Sequence, residues 1–392
     1  MNRIATGLDR VARADARLPE GPLGLLCNQA TVDARLRGTV EVLRLAGARI
    51  ERIFSPQHGF AGEKQDNMIE SGHGVHPATG VPLISLYGET REPTAEMLSD
   101  LAALVIDLPD VGTRVYTFLS TALYCLRVCA RIGLPVVVLD RPNPIGGTVI
   151  EGPILRPELA SFVGLIPVPL RHGLTVAEYL LFARDHWRLE ARIDVIRCEG
   201  WTRESLFPAT GWPWIPPSPN LPTFEGALVY PGMVMLEGTN LSEGRGTTRP
   251  FEIWGAPWLD PPALLDATRA HLPGLVAREV AFRPTFHKFV GQTCRGLMLH
   301  PTEPDRVRSV ETTVALLSAV ARRHRGDFAW KQPPYEYEHI RRPIDLITGT
   351  EEVRRAIDDG AEVADLVRSW ELGLAEFRER RRGSLLYPEA GS

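Results

Sequence analysis

Three short polar segments stand directly behind apolar runs. SPQHGF (residues 55–60) follows RIF, DVGTR (110–114) follows VIDLP, and DRPNPIGG (140–147) follows VVVL. Their Gly and Pro residues impose tight turns, the rigid support that reactive side chains on loops need. The acidic candidates near such turns are Glu63, Asp107, Asp110, Asp140, Glu151, Glu237, Glu243 and Glu252. Glu237 and Glu243 flank Thr239 and Asn240 in a Gly-rich stretch that continues to Arg245, the densest grouping of the set. Paired carboxyls of this kind can give and take protons. His58, set between Gln57 and Gly59, is a further site candidate, and His172 is read as a helix-entry residue. No H-E-x-x-H spacing occurs, so no metal is expected, and no G-x-S-x-G marks a hydrolase serine. Neither G-x-G-x-x-G after the first strand nor a Walker-type phosphate loop is present, so no nucleotide cofactor is expected.

These residues need elements to hold them. Apolar runs at 23–28, 52–56, 81–88, 101–106, 135–139 and 191–198 read as strands. Helical patterns lie between them. RLRGTVEVLRLAGA places Leu36, Val40, Leu43 and Ala46 on one face, and TAEMLSDLA opens at Thr94. TFLSTALYCLRVCARIG stops at Gly133, and LTVAEYLLFARDHW is capped by Thr175. Continuous apolar strands spaced by amphipathic helices indicate an α/β fold with a parallel sheet covered on both faces. In such sheets ligands collect at the carboxyl ends of the strands, so the three polar segments are expected in one cleft. The Pro- and Trp-rich stretch GWPWIPPSPNLPTF then breaks the pattern, and a boundary is placed near Gly226, dividing the chain into 1–226 and 227–392. Beyond it, helices are expected at PPALLDATRAHL, SVETTVALLSAVARR and VRRAIDDGAEVADLVRSW, and strands at VAREVAFRPTF and CRGLMLHP. The charged run FRERRRG reads as a solvated helix face.

Bulk properties narrow the function classes. The 392 residues carry 44 basic and 48 acidic side chains, a net charge of −4, which argues against a nucleic-acid partner. No apolar run reaches membrane-spanning length, so no membrane partner is expected. The first residues lack the apolar core of an export signal, and the five scattered cysteines read as buried and reduced; both point to the cytoplasm. Only Lys64, Lys288 and Lys331 are lysines, against 41 arginines, an excess read as coding bias.

In order, SPQHGF, ISLYG, DLPDVGTRVYTF, VLDRPNPIGG, EGP, HGLTVAEY, PSPNLPT, YPGMVMLEGTNLSEGRGTTRPFEIWGAPW and FRPTFHKFVGQTCRG resemble the exo-β-N-acetylmuramidases of the NamZ (YbbC) type, glycoside hydrolase family 171. The resemblance covers nearly the whole chain. It implies a Rossmann-like N-terminal domain, a smaller α/β C-terminal domain and a cleft between them. It also implies release of terminal non-reducing N-acetylmuramic acid from peptidoglycan fragments, in cell-wall recycling, without a cofactor. One position departs from it. Many members read Pro-Glu-His-Gly-Phe where this chain has Gln57, and an amide cannot deliver a proton.

Glycoside hydrolysis needs a protonated carboxyl near the leaving oxygen and a second carboxylate across the sugar. The candidates are Glu63, Glu237 and Glu243. Gln57, His58, Asp110, Tyr116, Asp140, Asn143 and Asn240 are expected to bind the sugar. The lactyl carboxylate of muramic acid suits an arginine fork, from Arg114, Arg141, Arg245 or Arg249. Trp212, Trp214 and Trp254 are candidates for stacking on sugar faces. A sugar-binding protein that kept the cleft and lost the acid is the alternative, favoured by Gln57.

Overall fold

The computed structural model describes residues 4–65 and 68–388. Among the described residues, nine strands belong to the first half: β1 (Pro22–Leu26), β2 (Arg49–Ser55), β3 (Gly74–Val75), β4 (Pro82–Ser85), β5 (Ala103–Ile106), β6 (Val136–Leu139), β7 (Glu151–Ile154), β8 (Pro169–Arg171) and β9 (Ile193–Ile196). Seven form one sheet in the order β3-β4-β2-β1-β5-β6-β9, parallel except for β3. Without that short edge strand the order is the one of dinucleotide-binding folds, and it reverses between β1 and β5. β1, β5 and β6 are apolar and buried almost throughout because helices cover both faces. Strands β7 and β8 make a separate antiparallel pair.

The helices of this half are α1 (Gly7–Ala12), α2 (Thr39–Leu45), α3 (Phe118–Ile132) and α4 (Val176–Trp187). α3 ends on Gly133 in the left-handed conformation, and α4 starts with a Thr175/Glu178 capping box. Two expectations fail locally. Leu36 is exposed and sits in a turn held by the Asp33 side chain, so α2 begins only after Gly38. TAEMLSDLA yields one 3-10 turn, Glu96–Leu98, because Asp100 turns the chain into left-handed geometry.

The second half carries α5 (Phe224–Met233), α6 (Pro261–Thr268) and α7 (Ser309–Arg323) around the antiparallel sheet β10-β12-β11, formed by Ile253–Ala256, Cys294–Pro301 and Leu275–Phe282. Helix α5 runs across residue 226. Near the C-terminus, Glu352–Asp358 and Val363–Ser369 are separate helices broken by the left-handed Gly360. Arg381 departs from the solvated face expected for its run: it is buried against the carbonyls of Gly147 and Gly173. Tyr387 then returns to the first sheet, where its hydroxyl donates to Asp140 at 2.7 Å. The five cysteines are free and buried.

Arg114 joins the halves. It is fully buried, and its guanidinium donates to the carbonyls of Pro153 (3.1 Å), Val168 (2.9 Å) and Ile347 (2.8 Å). Burial lowers its pKa only to about 10, so the cation persists at neutral pH. Gly349 leaves the room: a Cβ there would meet Arg114 Nη2 at 2.7 Å. Removing the guanidinium takes a donor from three buried carbonyls, of which Val168 keeps the Leu155 amide; each one left unpaired costs about 1–3 kcal/mol. Arg114→Ala is expected to lower unfolding free energy by about 3–5 kcal/mol. Denaturant titration checks this, and a loss under about 1 kcal/mol would refute the clamp.

Glu151 on β7 is buried beside Arg171 and accepts from the Glu311 amide at 2.8 Å, while its Oε2 has no partner. Burial raises its pKa to about 7. The folded value lies above the unfolded one, so its contribution to stability is complete at acid pH and is lost as pH rises through about 7. Glu151→Gln should flatten stability against pH between about 5 and 8, with the gain at the alkaline end.

Candidate active site

A cleft with about 410 Å3 of space, part of it open to solvent, lies between the halves. The loop after β2 supplies Gln57 and His58, and the turn leading into α3 supplies Tyr116 and Thr117. Ser218, Asn220 and Tyr230 come from the connecting segment and α5, and Glu237, Arg245, Tyr335 and Glu336 from the second half. The walls are thus built at the carboxyl edge of the parallel sheet, but from fewer segments than expected: 55–60 and the residues just after 110–114 reach this cleft, whereas Arg141, Pro142 and Pro144 of the third segment line a separate hollow with Asp110.

Two carboxyl groups line the cleft. Glu237 Oε1 accepts from Arg245 Nη2 at 2.7 Å, and its Oε2 from the Tyr335 hydroxyl at 2.8 Å. The left-handed Gly244 and Gly246 on either side aim the Arg245 side chain; a Cβ at 244 would stand 2.2 Å from the Ile253 carbonyl. Glu336 Oε2 accepts from the Tyr87 hydroxyl at 2.7 Å, and Oε1 from Gln57 Nε2 at 3.3 Å. Burial, with Glu237 adding to it, raises the Glu336 pKa against the opposing Tyr87 and Gln57 donors. Thr117 donates to Gln57 Oε1, which directs the amide nitrogen towards Glu336 and Tyr87. His58 Nδ1 lies 2.6 Å from the Lys64 carbonyl, which can only accept, so that nitrogen carries a proton.

Behind Arg245 stands Glu243, fully buried. It meets Arg245 Nε (3.2 Å), His287 Nδ1 (3.2 Å) and Lys288 Nζ (2.9 Å). Lys288 and the other cations hold its carboxyl well below the usual range despite burial. Glu243 therefore anchors the wall and does not line the space. Glu63 is exposed, with its carboxylate beside Gly59, and it too is outside the lining.

Of the residues expected to bind sugar, the structure brings Gln57, His58, Tyr116 and Arg245 into the cleft and places the rest elsewhere. Asp110 Oδ2 accepts from the Gly112 amide and faces His172 at 3.4 Å. Asp140 caps α4 through Thr175 and Ala177. Arg141 pairs with Asp107, Asn143 bonds the Leu174 carbonyl, and Asn240 pins residues 327–329 through both ends of its amide. Arg249 pairs with Glu252, and Arg114 is the clamp described above. The tryptophans do not line the cleft either. Trp254 is core, Trp214 packs edge-on to Phe207, and Trp212 lies against the Trp201 and Tyr387 cluster.

Sequence reasoning missed Glu336, Tyr335, Tyr87, Thr117 and Asn220. Asn220 is buried with its Oδ1 unpartnered in the cleft wall. The segment PPYEYEH held the one signal for Glu336, acids alternating with aromatics behind two prolines, with no glycine turn to draw notice.

The exo-β-N-acetylmuramidase NamZ N-terminal model matches residues 23–225, and the C-terminal model matches 228–387. The peptidoglycan β-N-acetylmuramidase NamZ of Bacillus subtilis (strain 168) is 37% identical over 388 residues, covering 98% of this chain and 92% of that protein. Crystal structures of two DUF1343 family proteins from Bacteroides fragilis NCTC 9343 share the fold. One has a TM-score of 0.87 at 29% identity, covering 99% of this chain and 100% of its own. The other has 0.74 at 25%, covering 98% and 99%. With a carboxyl pair in the cleft, the alternative of a binding protein without an acid is not favoured. Matched along both halves, the chain belongs to the exo-β-N-acetylmuramidase NamZ family and is a glycosidase.

Proposed function

We propose that the cleft removes one N-acetylmuramic acid residue at a time from the non-reducing end of peptidoglycan fragments. The observation that carries this reading is the Glu237 and Glu336 pair, two buried carboxyls in one cleft of a chain from this family. Hydrolysis of a glycosidic bond asks for that pair. Ring hydroxyls find partners in Asn220, His58 and the Tyr116 and Tyr230 edges, all in the lining. Of the four arginines weighed for the lactyl carboxylate, Arg245 is the one that lines the cleft, so we assign it that contact.

The site is shared between residues 1–226 and 227–392, which we take as the two domains. We place the reaction in the cytoplasm, in recycling of wall fragments. The free, buried cysteines support that placement, since it needs no disulfide. Among the described residues no helix is long and apolar enough to cross a membrane.

Purified protein should release N-acetylmuramic acid from a MurNAc-GlcNAc disaccharide and chromophore from an aryl N-acetylmuramide. Absence of both products would overturn the reading. Retention of activity on a substrate carrying muramic acid only in its interior would overturn its exo character.

A further inference from the structure

The side chain at position 57 is an amide and has no proton to give a leaving oxygen. Its nitrogen nevertheless points at a carboxyl contributed from 279 positions away, that of Glu336. Glu336 and Tyr337 both adopt left-handed backbone geometry, with φ of 45° and 66°. Non-glycine residues are held there only when their surroundings insist, and such strain gathers at functional sites. Here the Tyr335 and Glu338 backbones bond each other in both directions, and Tyr87 and Gln57 grip the carboxyl.

The two carboxyls of the cleft are held by different chemistry. Glu237 is salt-bridged to Arg245. Glu336 accepts only from neutral groups, an amide and a phenol, and among the described residues no salt bridge reaches it. Given the glycosidase reading above, we propose that Glu336 is the proton donor of this cleft, positioned by Gln57 and Tyr87. Its O–H passes a proton to the glycosidic oxygen as the bond from the muramic acid C1 breaks, and the bonding pair leaves with that oxygen. Water supplies the hydroxyl gained by C1. The second proton of that water passes to solvent and balances the one that reprotonates Glu336. The salt-bridged Glu237 faces the positive charge that develops on the sugar.

The groups that act on the Glu336 charge are Tyr87, Gln57, Glu237 and Arg91, with Tyr230 and Tyr335 across the cleft. Burial and Glu237 favour the protonated form, whereas Tyr87, Gln57 and Arg91 oppose it. The raised value extends the protonated range upwards, so activity should fall on the alkaline side as Glu336 ionises.

The test compares leaving groups. An aryl leaving group departs with little protonation, whereas the sugar of MurNAc-GlcNAc needs it. Glu336→Gln should lose about 10²–10⁴-fold in kcat/KM on the disaccharide and less than about tenfold on the aryl N-acetylmuramide. The alkaline limb of its pH profile should also disappear. Tyr87→Phe removes a donor to the ionised carboxyl, so its alkaline limb should move to higher pH. That variant tests the assignment even where Glu336→Gln fails to fold. Equal losses on the two substrates, or unchanged pH limbs in both variants, overturn the assignment while leaving the glycosidase reading standing. A wild-type protein inactive on both substrates overturns both.

Discussion

The working surface of this protein depends on one buried cation. Arg114 belongs to the turn after β5, yet its guanidinium donates to carbonyls from both halves of the chain. Two residues later the same turn presents Tyr116 and Thr117 to the cleft. The ties that hold the halves together and the wall of the site are therefore parts of one rigid loop. A carboxylate partner would have spent the cation on a single ion pair. Three neutral carbonyls instead spread it over β7, the start of β8 and the helix at Pro343–Thr348. Desolvating a charge is costly unless it is hydrogen-bonded, so the mutual position of the two halves is tied to the one that lets both terminal nitrogens of Arg114 reach their carbonyls.

The second constraint is charge balance inside the wall. Glu237, Arg245, Glu243 and Lys288 run as alternating signs from the cleft into the core. Lys288, one of three lysines in the chain, also donates to the carbonyls of Leu236 and Leu241. Its three donors fan outward from one nitrogen, as this corner requires; a planar arginine fork suits two parallel acceptors instead. The arginine excess is thus a bulk property that yields where geometry asks for a point charge.

Much of the fold was legible because it is local. Apolar runs and helical periodicity located the strands of the parallel sheet, and Gly133 and Thr175 marked helix ends as their backbone chemistry requires. The site was legible only in part. Gln57, His58, Tyr116, Glu237 and Arg245 sit in motifs whose glycines and prolines announce a shaped loop. Arg141, Asp140, Asn143 and Asn240 sit in equally shaped loops, but their partners are carbonyls, amides and a neighbouring Asp107. A backbone acceptor leaves no trace in residue type, so the same pattern reads as binding when it is bracing. Glu336 was illegible for the opposite reason. Its burial comes from a loop with no periodicity that closes on Tyr87 and Gln57 from far along the chain.

Tyr387 carries a temporal consequence. The first sheet looks self-contained, yet the Asp140 carboxylate at its edge takes a hydroxyl proton from a residue 247 positions later. Tyr387 also receives the Cys198 amide, just past β9. At the pace of synthesis, about 5–20 residues per second, that partner emerges roughly 12–50 s after Asp140. During this interval Asp140 has its helix-capping bonds from Thr175 and Ala177 but lacks the Tyr387 hydroxyl, and the Trp201 ring lacks the tyrosine that packs on it. The N-terminal half therefore leaves the ribosome unfinished, and these hydrogen bonds form only once residue 387 has been made.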